Sequence, residues 1–183
     1  GALERFDEPK GETPVRTGAL TQLSLVPGAN PVTAIPTPYE DTLLTAKVDH
    51  RLASNQTMFY RFSLQRNSSD NDQVANPALN DIYDFVANHT LNVGSDRLNQ
   101  FSFHFQDFQN EILGVSEDPI QIFAGNFRIG PAPNTPQATT SRKYQFRNDF
   151  TWQRENHSLK AGANYIHTKL GGYFYFGAFG YQL

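Results

Sequence analysis

The sequence predicts an all-β fold, an antiparallel up-and-down meander of about six strands with long loops. Three observations carry that reading. Apolar and polar residues alternate with a period of two over segments of about ten residues, as side chains do on the two faces of a strand. The connections between these segments are short and long by turns. The composition is 38% hydrophobic, 13% aromatic and only 18% charged, a balance of rings and few charges that suits strands better than helices.

Residues 1–40 are expected to form a loop, because Pro9, Pro14, Pro27, Pro31, Pro36 and Pro38 recur too closely for a long element between them. Across residues 41–50, Leu44, Ala46 and Val48 fall on one face with Thr45, Lys47 and Asp49 on the other, Leu43 being the exception. A polar turn at Ala53, Ser54 and Asn55 leads to residues 56–65. There Met58, Tyr60, Phe62 and Leu64 oppose Thr57, Phe59, Arg61, Ser63 and Gln65, completing a hairpin. Residues 66–81 are dense in Asn, Ser and Asp and read as a loop.

A third strand over residues 82–92 turns through Val93, Gly94, Ser95 and Asp96 into a fourth over 97–108. In that strand Phe101, Phe103 and Phe105 alternate with Ser102, His104 and Gln106. Residues 109–140, broken by prolines and glycines, are expected to be one large loop. Residues 141–153 place Tyr144, Phe146, Phe150 and Trp152 opposite Lys143, Gln145, Arg147, Asp149 and Thr151, with Asn148 interrupting the apolar side. After a tight turn at Arg154, Glu155 and Asn156, residues 157–168 set Leu159, Ala161, Ala163 and Tyr165 against Lys160, Gly162 and Asn164. The chain thus divides into a proline-rich loop (1–40), three hairpins (41–168) and an aromatic, glycine-rich rim (169–183).

No run of apolar residues is long enough for a membrane-spanning helix. Strands are another matter: ten residues rising ~3.3 Å each and tilted ~45° cover roughly 23 Å, the height of the apolar band of a transmembrane barrel, whose turns are short on one side and long on the other. A single partial β-barrel region over 1–183 is therefore expected. A soluble secreted β-sandwich, serving as a binding or adhesin module, is the alternative, and the two differ in what the apolar face meets: lipid in one, a second sheet in the other. The net charge of −3, with both signs interspersed, gives no reason to expect a nucleic-acid partner, and the absence of cysteine removes disulfides and thiolate metal sites. The chain opens on Gly1 without a charged-then-apolar leader, as expected of a processed chain or a piece of a longer one.

Three passages resemble the TonB-dependent receptors of Gram-negative outer membranes, in particular the Oar-like group with a carboxypeptidase-regulatory-like domain. They are TAKVDHRLASNQTMFYRFSLQRN (45–67), NHTLNVGSDRLNQFSFHFQDF (88–108) and KYQFRNDFTWQRENHSLKAGANYIH (143–167). The resemblance implies a barrel of about 22 strands plugged by an N-terminal domain, which imports a scarce ligand with energy from an inner-membrane complex. It also implies residence in the bacterial cell outer membrane, with outer-membrane lipid, the plug, the energy-coupling complex and an unidentified transported ligand as partners. No plug, energy-coupling box or aromatic-ended terminal strand is found in these residues, so transport is expected of the full-length protein rather than of this segment.

On this reading Met58, Tyr60, Phe62, Phe101, Phe103, Phe105, Phe146, Phe150, Trp152, Leu159 and Tyr165 face lipid. Lys47, Arg61, His104, Arg147 and Asp149 line the lumen. The five histidines, His50, His89, His104, His157 and His167, form no pair or cluster with metal-ligand spacing, and no cofactor is expected. The run Asp70, Asn71, Asp72 lacks the glycine and glutamate of a calcium loop. The sequons at Asn55, Asn67, Asn88 and Asn156 fall in turns, a loop and a strand of a chain rich in Asn, Ser and Thr. No nucleophile, base or phosphate-binding glycine loop is arranged for catalysis, so no enzyme is expected. The tail from Tyr173 to Tyr181 is read as an aromatic rim, with a ligand-stacking surface as the alternative.

Overall fold

The computed structural model describes residues 1–8, 12–14, 34–70, 77–114, 116–123 and 127–182. Pro9, Pro27 and Pro31 of the proline-rich segment, and Asn71 and Asp72 of the acidic run, lie outside the described residues. Seven strands form one sheet: β1 (Ala2–Glu8), β4 (Tyr39–Ala53), β5 (Gln56–Asp70), β6 (Pro77–Val93), β7 (Arg97–Ile112), β10 (Gln137–Arg154) and β11 (His157–Phe174). They lie side by side in that order, each antiparallel to the next, and the sheet is open. Two small sheets accompany it. One pairs β2 (Glu12–Pro14) with β3 (Ala34–Pro36), and the other joins β8 (Ile120–Phe123), β9 (Phe127–Ile129) and β12 (Tyr181–Gln182).

The strands are longer than alternation of hydrophobicity predicts. β5 and β6 run through most of the polar stretch expected to be a loop over 66–81, leaving only residues 71–76 between them. Polar side chains hold this extension together: Asn80 donates to Asn67 and Asn110 to Asn80, each at 2.8 Å, and Arg66 meets Asp81 at 3.2 Å. Polarity here marks wetter surroundings rather than the end of pairing. The loop expected over residues 1–40 is corrected in the same way, because Ala2–Glu8 is a strand in register with Tyr39 to Thr45. Its charges, Glu4, Arg5, Asp7 and Glu8, hide any period, and the pairing is supplied by the edge of β4. The large loop expected over 109–140 gives its ends to β7 and β10, and β8 and β9 lie within it. The tail is also partly strand: β11 continues to Phe174, and Tyr181 pairs in parallel with Ile120 of β8.

Among the described residues neither small sheet makes extensive backbone contact with the seven strands, and no side chain of the large sheet is fully buried, as expected of a single layer. Among the described residues the only fully buried side chains are Ile120, Pro131 and Thr135, all in the excursion between β7 and β10. Backbone bonds from Ile120 to Gly180, Tyr175 to Pro136 and Gly177 to Pro133 tie this excursion to the segment after β11. A sandwich would require a second sheet roughly 10 Å away with interdigitated side chains. Large apolar residues of the sheet are instead uncovered, with Val48 and Tyr165 both 61% exposed.

The short turns share one end of the sheet and are laterally bonded. Asn92 N–H donates to the Asn55 carbonyl and the Asn55 amide donates to the Asn92 carbonyl, both at 2.9 Å. Gln153 N–H donates to the Asp96 carbonyl at 2.7 Å, and the Trp152 indole N–H donates to the Asp96 carboxylate at 2.9 Å. The β10–β11 hairpin turns on Glu155 and Asn156, with Glu155 at φ 50°. A positive φ at only the first central residue is the pattern of a type II′ turn, where glycine is the unstrained choice. Glu155→Gly should therefore stabilise the complete folded protein by about 1 kcal/mol, read as a higher midpoint in urea unfolding from detergent micelles. An unchanged or lower midpoint would show that the turn carries no strain.

Candidate membrane and lumen surfaces

Residues directly opposite one another in an antiparallel ladder share a face, so the register sorts every side chain of the sheet. Val48, Tyr60, Ala87, Phe103, Phe146 and Tyr165 form one row across six strands. All eleven residues expected to face lipid fall on this same face. Rings follow one another across it, Phe85 to Phe103 at 6.3 Å, Phe103 to Phe146 at 5.1 Å and Phe146 to Tyr165 at 6.5 Å, with Phe105 to Tyr144 at 5.2 Å alongside. Tyr83, Phe85 and Tyr144 also belong to it; the register across β5–β6–β7 identifies Tyr83 and Phe85, which alternation within one strand leaves ambiguous.

Charge divides the faces more sharply than hydrophobicity does. On the ring-bearing face, a row containing Asp107, Arg142 and Lys169 lies toward the long connections, and a row containing Arg97 and Trp152 lies toward the short turns. Between these rows the face carries no Asp, Glu, Lys or Arg. At the same levels the opposite face carries Lys47, Asp49, Arg51, Arg61, Asp84, Lys143, Arg147 and Asp149. From Arg142 to Trp152 the strand rises roughly 33 Å, or about 23 Å along the normal at a 45° tilt.

The three amide side chains on the uncharged face are all paired, one of them with His89. Asn99 and Asn148 exchange two amide hydrogen bonds at 3.1 and 3.0 Å, which accounts for the break at Asn148, and His89 bonds Gln56 at 3.3 Å. At the turn end, Trp152 lies between the guanidinium groups of Arg97 and Arg154, 5.8 and 5.6 Å from its ring. At the other end, the Arg66 guanidinium donates to the Tyr83 hydroxyl at 2.9 Å, and Arg142 Nε donates to Asp107 at 2.9 Å.

All five expected lumen residues fall on the opposite face. They do not converge on one site. Lys47 bonds Asp49 at 2.7 Å and lies 5.0 Å over the Phe59 ring, which explains an aromatic on the polar side. Arg147 Nε donates to Asp149 at 2.6 Å, and Gly162 makes room for this pair: a Cβ there would stand 2.7 Å from the Asp149 carboxylate. Arg61 and His104 both meet Asp84, a residue the sequence alone does not single out. Asp84 is the least exposed of the three, its side chain 16% exposed. A hollow of about 530 Å³ opens on this face beside Asp49, Arg51, Phe59, Asn88 and Gln100. Among the described residues no group of three His, Asp or Glu side chains could hold a metal ion, and no helix is long and apolar enough to cross a membrane.

A family model described as an outer membrane beta barrel domain matches residues 12–182. No curated protein and no solved structure gives a match.

The polar network yields a contrast in stability. Asp84→Ala strips Arg61 and His104 of their shared acceptor on a partly covered surface and should cost about 1–3 kcal/mol. Asp49→Ala, whose side chain is 70% exposed, should change stability by less than about 0.5 kcal/mol. Urea unfolding of the two variants in the same micelles provides the comparison, and equal losses would contradict the assigned network.

Proposed function

Because the chain belongs to the outer membrane beta barrel domain family and the family resides in the bacterial outer membrane, we propose that its seven-stranded sheet is one arc of the wall of a TonB-dependent transporter. The full-length protein would take up a scarce ligand, and this segment would supply wall and surface loops rather than chemistry. The observation that carries the membrane part of this reading is the uncharged face, which at the usual tilt of about 45° would stand about 23 Å tall, set back to back with a face full of charge. Lipid tolerates the first, and only water or protein accommodates the second.

Three features fit a wide transporter. An open sheet of seven strands needs further strands to close. Its polar face carries long ionic side chains such as Lys47 and Arg61, which suit a hydrated or protein-filled lumen. The three passages similar to Oar-like receptors point the same way. In that architecture the polar face meets the plug or the ligand path, and the inner-membrane energy-coupling complex is the second partner.

Orientation follows from asymmetry. Beyond the uncharged band, β10 continues from Arg142 to Gln137 at the end with long connections, but only from Trp152 to Arg154 at the turn end. Protruding strands and long excursions belong outside the cell, tight turns in the periplasm. With other cysteines removed, Glu117→Cys should react with a membrane-impermeant maleimide on intact cells, and Glu155→Cys only after the outer membrane is permeabilised. Reversed labelling would invert the orientation.

The assignment of faces has its own test. Phe103→Arg should cost about 2–4 kcal/mol when the complete protein refolds into bilayers, while Ser102→Arg should cost about 1 kcal/mol or less. Equal penalties would refute the lipid-facing assignment. The transporter reading is separable from both: the purified full-length protein should bind the periplasmic domain of the energy-coupling protein, and no binding would leave a barrel that is not energised.

A further inference from the structure

Arg142 on β10 and Lys169 on β11 are direct register partners, one row above the uncharged band and on the same face. Directly opposite residues hold their Cβ atoms about 5 Å apart, and like charges so placed repel. One carboxylate attends the pair. Asp107 accepts from Arg142 Nε at 2.9 Å, its own side chain only 14% exposed. Among the described residues no carboxylate lies within ion-pair distance of Lys169. The nearby Glu111, farther from the band, accepts a hydrogen bond from the Tyr173 hydroxyl at 3.2 Å. The cluster therefore carries an uncompensated positive charge, and both cations are exposed.

We propose that Arg142 and Lys169 clamp the phosphate of a lipid headgroup in the outer leaflet. The proposal rests on the outward assignment of this face. An anion between the two cations turns their repulsion into attraction, and a guanidinium beside an ammonium offers donors to several phosphate oxygens at once. The level is that of the headgroups, because the uncharged rows begin immediately below with Tyr144 and His167, whose rings lie 6.4 Å apart. A lipid differs from a soluble anion in having acyl chains that lie along that apolar surface, over Phe105, Phe146 and Tyr165.

The test uses the complete protein reconstituted in phosphatidylcholine vesicles, with fluorescent lipid A as the phosphorylated probe and energy transfer reporting its enrichment around the barrel. Lipid A should be preferred over fluorescent phosphatidylcholine, and Lys169→Gln should lower its relative association constant about fivefold. Arg142→Gln should act in the same direction, and Lys169→Arg should retain the preference. Lys143→Gln, next to Arg142 in the chain but on the opposite face, should leave it unchanged. An undiminished preference in Lys169→Gln overturns the clamp even where Phe103→Arg and Ser102→Arg behave as expected. Loss in Lys143→Gln but not in Lys169→Gln shows instead that the faces are reversed. Displacement of lipid A by millimolar inorganic phosphate in the wild-type protein would assign the pair to a soluble anion and also overturn the lipid proposal.

Discussion

The rest of the molecule depends on backbone pairing. In hydrocarbon an unpaired N–H or C=O costs several kcal/mol, and a sheet one layer thick has no second element to satisfy it. The ladder from β1 to β11 meets this demand strand by strand, and the side chains sort themselves around it. A soluble protein of this length gains its stability from an interior. Here the described interior is little more than Ile120, Pro131 and Thr135, in a loop excursion. The sheet leaves uncovered what a globular protein hides, as the wall of an outer-membrane barrel does.

Once pairing is fixed, chemistry is distributed by parity. Odd and even positions along a strand lie on faces of different chemistry, and the hydrogen bonds on each side differ accordingly. On the ring-bearing side the amides are tied to partners, as Asn99 is to Asn148 and Gln56 to His89, so few amide donors are left free. On the other side ion pairs such as Arg147 with Asp149 are open and replaceable, as suits a surface that meets water or another protein. The boundary rows combine both habits: Trp152 between two arginines at one level, Arg142 with Asp107 at the other.

Much of this was legible in the sequence. Period-two alternation located five of the seven strands of the large sheet, the sixth, β6, being placed by the turns on either side of it, and alternation assigned Phe101, Phe103 and Phe105 to one face and His104 to the other because each belongs to a long uninterrupted pattern. What alternation could not show is pairing without hydrophobic contrast. Asn67, Asn80 and Asn110 sit at matched heights on three strands and bond in a chain, yet each looks like a loop residue when read alone. Ala2–Glu8 has no readable period, since its place is dictated by a strand more than thirty residues away. Asp84 was missed for a related reason: its partners, Arg61 and His104, lie on neighbouring strands, and only the register reveals that they converge.

The ladder between β4 and β5 contains one irregularity, a register shift between Arg51 and Ala53. It falls at the turn end, at the last uncharged row, where Ala53 stands opposite Gln56. Had the extra residue been inserted near Val48, every position beyond it would have exchanged faces, bringing Lys47 or Asp49 onto the uncharged side. Insertions and deletions are thus tolerable in the long connections and at strand ends, and forbidden in between. Along an evolutionary lineage such a wall can change its residues but hardly its measure, while the loops above it vary freely in length.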